Sequence, residues 1–196
     1  MRRRWRELLM GAVLGLGFWQ LATGSSMPAK AFLAQALLQH AWNATDISET
    51  RRKPWPWADT WPTARLKAER VGVDLIVLAD GSGRNLSFGP GLLLAGATPG
   101  ARGNTIIAGH RDTHFVFLKE LELGDRLIIE TPGGEELLYI VDGLDVVDST
   151  RAQLVLDTKW PRLTLVTRYP FDSSEADGPL RYLVSATLQS AAPIGT

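Results

Sequence analysis

Three side chains capable of proton transfer or anion binding stand at the ends of short apolar runs. His110 closes the run Asn104-Thr105-Ile106-Ile107-Ala108-Gly109, Arg168 closes Thr164-Leu165-Val166-Thr167, and Arg181 follows Gly178-Pro179-Leu180. A histidine directly after a strand-ending glycine can be held by its backbone while a ring nitrogen faces a cleft, where it gives or takes a proton near neutral pH. An arginine stays protonated at any physiological pH and offers only N–H donors, so its chemistry is to hold or stabilise negative charge. Arg181 lies 13 residues after Arg168, a spacing that suits two adjacent antiparallel strands with a loop between them. The chain contains no cysteine, which removes disulfides, thiolate metal sites and thiol nucleophiles from the available chemistry.

Each of these side chains needs a strand beneath it, and the pattern supplies strands throughout the second half. Residues 71 to 78 run apolar or alternating, and the cluster Ala79-Asp80-Gly81-Ser82-Gly83-Arg84 turns the chain. Gly89-Pro90-Gly91 marks another turn, and residues 104 to 108 read as a short buried strand. Residues 127 to 130 and 136 to 141 form a predicted hairpin across Thr131-Pro132-Gly133-Gly134. Strands at 163 to 167 and 180 to 188 complete the set. Many short strands between glycine turns point to an all-β sandwich or barrel from about residue 65 to 190. Helix is expected only at 29 to 42 and in brief turns near 117 to 121 and 151 to 154. In the first of these, Phe32, Ala36, Leu37 and Ala41 form the apolar side, with Gln35, Gln39 and the solvated His40 opposite.

The bulk numbers fit one exported domain. At 196 residues, with 45% hydrophobic and 21% charged residues, the chain can bury a core without staples. Its formal net charge is zero, which argues against a nucleic-acid partner. The charge is uneven: Arg2, Arg3, Arg4 and Arg6 precede the apolar run Leu8 to Trp19. A helix from Trp5 to Ala22 would rise ~27 Å, enough to cross a hydrocarbon core, with Trp5 and Trp19 near its two ends. The positive-inside rule keeps the arginines cytoplasmic. Residues 1–25 are thus expected as a single-pass anchor in the inner membrane, with the domain on the periplasmic side. A cleavable signal peptide is the competing reading, suggested by Ala29-Lys30-Ala31. Residues 26–64 comprise the helix and an extended linker in which Pro54, Pro56 and Pro62 forbid a regular helix or central strand and Trp55, Trp57 and Trp61 call for packing; this linker is either a belt on the domain or a lid over a cleft. Residues 191–196 form a short tail.

Taken together, Gly103 to Asp112, Thr164 to Phe171 and Gly178 to Val184 resemble the active-site segments of sortases, the cysteine transpeptidases that attach proteins to cell surfaces. The strings from Ile107 to Phe115 and from Pro54 to Asp59 are most similar to the GN-type sortases of Gram-negative proteobacteria. The resemblance implies a closed sortase-type β-barrel with short helices behind a transmembrane helix. It also implies an activity: cleavage of a Leu-Pro-x-Thr-Gly-like signal at a target protein's C-terminus and transfer of the protein to an amine acceptor. By the same resemblance His110 is the general acid/base, Arg181 binds substrate and stabilises the oxyanion, and Arg168 occupies the position of the nucleophilic cysteine. Thr167, Tyr169 and His114 are placed as substrate-binding neighbours, His114 as a wall of the cleft.

A guanidinium has no lone pair with which to attack a carbonyl, so the chain as it stands is expected to be inactive in transpeptidation. Three readings stay open: a silenced sortase that binds sorting-type peptides or a carboxylate, a sortase changed at one position, or a membrane-tethered scaffold. No cofactor is expected. Glu120, Glu122 and Asp125 lie close in sequence but beside a turn, where solvated charge accounts for them, so no metal site is expected either.

Overall fold

The structure, a computed structural model, describes residues 26–44, 52–173 and 178–193. The expected membrane anchor at 1–25 lies outside the described residues. Among those described, no helix is long and apolar enough to cross a membrane.

Eight strands close into a barrel. In chain order they are β1 (Pro62–Ala68), β2 (Val73–Leu78), β3 (Gly91–Leu92), β4 (Asn104–Ala108), β5 (Arg126–Glu130), β6 (Glu135–Asp148), β7 (Arg162–Arg168) and β8 (Leu180–Pro193). Around the barrel the order is β1-β2-β3-β4-β7-β8-β6-β5. Closure removes the open sheet edges that invite aggregation. The all-β expectation is met, and strands 104–108, 163–167 and 180–188 fall where the pattern placed them. The expected barrel edges, 65 and 190, each sit three residues inside the outermost strand ends, Pro62 and Pro193. β6 is much longer than the alternating stretch suggested, because its second half, past Val141, pairs with β8 all the way to Asp148↔Leu180. Two irregularities in that long ladder, at Leu138/Tyr139 and Val141/Gly143, break the strict two-residue period by which the sequence could reveal it.

β1 shows why these residues make this wall. Ala64, Leu66 and Ala68 alternate inward and are buried. Outward, Arg65 meets Asp74 on β2 through two hydrogen bonds of 2.7 and 2.6 Å, and Lys67 meets Glu130 on β5 at 3.0 Å and Glu136 on β6 at 2.9 Å. Inside, Leu66, Val77, Ile107, Leu127, Ile129, Leu137, Leu163, Leu165 and Val184 form one core with Phe115 and Leu118. Phe115 and Leu118 come from the β4–β5 connection, which contains the expected helical turn as a 3-10 turn, Val116–Glu120. The expected turn at 151–154 is confined to its start, where Arg151 and Ala152 donate N–H to Asp148; the chain is extended beyond it.

The helix α1 (Ser26–Asn43) lies on the outside of β2 and builds a second, smaller core from Leu38, Trp42, Ile76 and Leu78. Its buried stripe differs from the expected one: Ala34, Leu38, Ala41 and Trp42 face the barrel, while Leu37 is exposed. The reason is polar. β2 pairs with β3 only at Leu78↔Gly91, and Gln35 completes the open stretch by accepting from the Ile76 N–H at 3.1 Å and donating to the Phe88 carbonyl at 3.1 Å. A helix turned to satisfy those groups carries Gln35 inward and Leu37 outward, since an unmade buried hydrogen bond costs more than one exposed leucine recovers. The linker packs as a belt at this same corner: Trp55 meets Phe88 edge-on at 5.0 Å, Ala58 is buried, and Trp57 stands 80% exposed.

Candidate active-site cleft

The outer face of β4, β7 and β8 carries the polar residues singled out in the sequence. β4 and β7 run parallel, Ala108 opposite Val166, and β7 and β8 run antiparallel with Arg168 directly opposite Arg181. The 13-residue spacing is thus realised as a cross-strand pair. His110 follows at the end of β4, on the neighbouring strand.

The backbone beneath His110 is fixed from several sides. Gly109 donates its N–H to the Val166 carbonyl at 3.2 Å and accepts the Thr167 hydroxyl at 2.7 Å. Phe115 donates its N–H back to the His110 carbonyl at 2.9 Å, closing the loop that follows. A Cβ at position 109 would stand 2.6–2.9 Å from the Phe115 ring, so only glycine lets this buried ring pack under the strand end. Arg111 then crosses to the loop after β7, donating to the Pro170 carbonyl at 2.8 Å and the Ser173 carbonyl at 2.5 Å. The sequence drew no attention to Arg111, because its partners are carbonyls about sixty residues away.

Thr167 and His114 lie under the cleft instead of lining it. Thr167 is buried and its hydroxyl is committed to Gly109. His114 is 7% exposed, and its Nε2 has no hydrogen-bond partner among the described residues. Burial first, and the nearby His110 second, lower its pKa to about 4 against the opposing pull of Asp112, so the ring is neutral at physiological pH. Tyr169 stacks on Tyr182 at 6.2 Å, and Phe171 meets Tyr182 edge-on at 5.3 Å. These three rings form one aromatic group where β7 ends and β8 begins. Arg181 is oriented by two Nη1 hydrogen bonds, to Gly178 O at 2.7 Å and Leu180 O at 2.9 Å.

Upstream along the same face, a cavity of about 240 Å³ is bounded by Asn104, Thr164, Leu183 and Ser185 below and by the β6–β7 loop above. Asn104 organises it. Its side chain donates to the Val155 carbonyl at 3.0 Å and accepts the Thr164 hydroxyl at 3.0 Å, while its backbone N–H bonds Leu156 O at 2.9 Å. That anchorage turns Val155, Leu156 and Trp160 toward solvent, 66%, 41% and 70% exposed. Sequence reading left Val155 and Leu156 unassigned; the three consecutive apolar residues Leu154, Val155 and Leu156 were the available signal. A second cavity of about 230 Å³, between α1 and the β5–β6 turn, shares no residue with the cleft, and its Arg65 is already paired with Asp74.

Among the described residues no three histidine, aspartate or glutamate side chains gather in a way that could hold a metal. Asp125, in the acidic stretch, is gripped by Arg70 through two bonds of 2.6 Å, which holds its carboxyl below the usual range.

The same arrangement of strands recurs in known proteins. The chain is 29% identical to Sortase D of Bacillus subtilis (strain 168) over 119 residues, 61% of this chain and 60% of that protein, so the match spans less than two thirds of that relative. A Clostridium perfringens sortase D5 transpeptidase superposes with a TM-score of 0.64 at 21% identity, over 83% of this chain and 99% of that one. Sortase E from Streptomyces avermitilis superposes with a TM-score of 0.58 at 26% identity, over 68% and 91%. The sortase-domain family model matches residues 66–189, from within β1 to within β8, and the chain belongs to the sortase family.

Proposed function

We propose that this chain is an exported, membrane-tethered sortase of the GN-type class. Its cleft receives a Leu-Pro-x-Thr-Gly-like signal from the C-terminus of a target protein, and Arg168 fills its nucleophile position. The observation that carries the reading is the pairing of Arg168 with Arg181 at the ends of β7 and β8, beside the β4 end that bears His110. A transpeptidase of this kind needs a thiolate to attack the scissile carbonyl, an acid to protonate the leaving amine and a cation to stabilise the oxyanion. His110 and Arg181 are the candidates for the second and third roles. On β7 the first has no candidate among the described residues: Arg168 cannot attack, and the hydroxyl of Thr167 is buried and spent on Gly109.

The groove supports a peptide ligand. Its floor alternates small and apolar side chains, Thr164 and Val166 on β7 and Leu183 on β8. The exposed Val155, Leu156 and Trp160 offer apolar contact at its upstream end. The arginine cluster and the apolar run Leu8 to Trp19 support the membrane tether. In this form the chain binds its signal and does not turn it over. The test is Arg168→Cys beside the unchanged chain, assayed with a fluorogenic sorting-signal peptide. Cleavage is expected from the cysteine variant alone. Absence of cleavage from both, with circular dichroism showing an intact fold, overturns the reading and favours the alternative of a membrane-tethered scaffold.

A further inference from the structure

We propose that Arg111 is a positioning residue for the cleft. Its guanidinium fork clamps the chain just past β7 to the end of β4, and so sets how His110 and position 168 face each other. The reaction it serves rests on the sorting-signal reading above; the clamp rests on its own hydrogen bonds.

Strand pairing stops short of the reactive positions. β4 ends at Ala108 and β7 at Arg168, and the last residues paired between them are Ala108 and Val166. β7 then leaves β4 and turns toward β8, where Tyr169 donates its N–H to Leu180 O at 3.1 Å. Two ties hold the parting ends together. Before His110, Gly109 donates to Val166 O at 3.2 Å and accepts the Thr167 hydroxyl at 2.7 Å. After it, Arg111 donates from Nη1 to Pro170 O at 2.8 Å and from Nη2 to Ser173 O at 2.5 Å. His110 thus stands between two tied neighbours, and position 168 stands between Thr167 and Pro170 on the other chain. The same two ties bracket both reactive positions.

The second tie needs arginine. Two carbonyls three residues apart are held by two nitrogens of one rigid plane, so the fork fixes the shape of the turn as well as its place. A lysine carries one ammonium on a flexible stem and cannot impose that shape. The consequence is for rate and not for affinity. Proton transfer at a catalytic imidazole depends on close placement, and a shift of about 1 Å can cost up to about 10²-fold. The groove floor at Thr164, Val166 and Leu183 lies upstream of the clamp and is held by the β7–β8 ladder itself.

The test uses the full-length chain in detergent carrying Arg168→Cys, with Arg111→Gln or Arg111→Lys added. One readout is kcat and KM with the fluorogenic sorting-signal peptide. The other is the pH dependence of alkylation of the introduced thiol by iodoacetamide, which needs no substrate. The chain has no other thiol, so alkylation reports position 168 alone. Arg111→Gln is expected to lower kcat by about 10–100-fold with KM within about twofold, and Arg111→Lys to recover little of it. An imidazolium beside a thiolate lowers the alkylation midpoint, so a loosened His110 should raise it by about half a unit or more. In a His110→Gln background the same Arg111→Gln change should leave the midpoint where it is, because the clamp acts through His110.

Unchanged kcat and an unchanged midpoint in a folded Arg111→Gln variant overturn the inference. Full recovery by Arg111→Lys overturns it too, since charge and not the fork would then matter. A raised KM with kcat intact assigns Arg111 to substrate binding and also overturns it. If no variant cleaves the peptide, the sorting-signal reading falls, and the midpoint shift with its dependence on His110 still decides the clamp. If both Arg111 variants fail to fold by circular dichroism, the residue serves the fold and the inference is lost.

Discussion

The two outer walls of the barrel carry basic residues in opposite company. On β1, Arg65 and Lys67 each face carboxylates on the neighbouring strands, Asp74 on one side and Glu130 and Glu136 on the other. On β7 the terminal Arg168 faces another arginine across the ladder. The first wall is electrostatically closed: its ion pairs are partly exposed, raise the pKa of Arg65 and lower that of Asp74, and help hold strand register. The second sets two guanidinium-bearing residues opposite each other at the end of the strand pair, next to the strand that leads to a histidine. Opposite charges across strands explain a wall. Like charges directly opposite across a ladder do nothing to hold register.

The comparison breaks first through catalysis. In the Arg168→Cys background, His110→Gln is expected to lower peptide cleavage by about 10²–10⁴-fold, the usual worth of a general acid/base; single-turnover rates with the fluorogenic peptide measure it. An unchanged rate would remove His110 from the cleft's chemistry.

The next effect lies under the cleft. His114 has a folded pKa of about 4 against about 6.5 unfolded, so the folded state resists a proton that the unfolded chain accepts. Stability is unaffected above pH 6.5, falls as pH drops from 6.5 to 4, and levels below that; the full loss is about 3 kcal/mol. Urea unfolding at pH 7 and pH 5 should show this drop in the parent chain and a smaller one in His114→Gln. Asp74 on the other wall responds at lower pH, because it is held below its ordinary value and loses its contribution only as pH falls through that lowered pKa.

Gly109→Ala presses a methyl into the Phe115 ring and should cost about 1–3 kcal/mol, with the midpoint of chemical unfolding as the measure. A cost near zero would mean that Phe115 moves aside without penalty and that the strand end is less constrained than its contacts imply. The smallest effects separate the two walls directly. Asp74→Asn, which breaks the bidentate contact with Arg65, should cost up to about 1 kcal/mol, whereas Arg168→Gln should stay within about 0.5 kcal/mol of the parent. A larger loss from Arg168→Gln than from Asp74→Asn would show that the arginine serves the fold.

Residue patterns placed the three chemical positions because His110 and Arg168 close short apolar runs and Arg181 opens one after Gly178-Pro179, where period and punctuation are local. The Arg168 to Arg181 spacing was readable because two neighbouring strands joined by one loop favour an antiparallel pairing of their near ends. The β6–β7 loop, Arg111 and Asn104 were not readable. Asn104 and Arg111 act on backbone carbonyls about fifty to sixty residues away, and nothing in their own neighbourhoods announces those partners. The turned face of α1 escaped for a similar reason, since Gln35 answers a gap between β2 and β3 that no helical period can display.

By itself the sequence determined that this is a β-rich domain with His110, Arg168 and Arg181 at strand ends and no thiol anywhere in it, because alternation, glycine turns and residue type are properties of short segments. Only the tertiary structure decided that Arg168 faces Arg181, that Thr167 and His114 lie beneath the cleft, and that Asn104 holds an apolar loop over a cavity. Those facts depend on which strands neighbour one another in a closed barrel, and that order is set by packing the whole core at once.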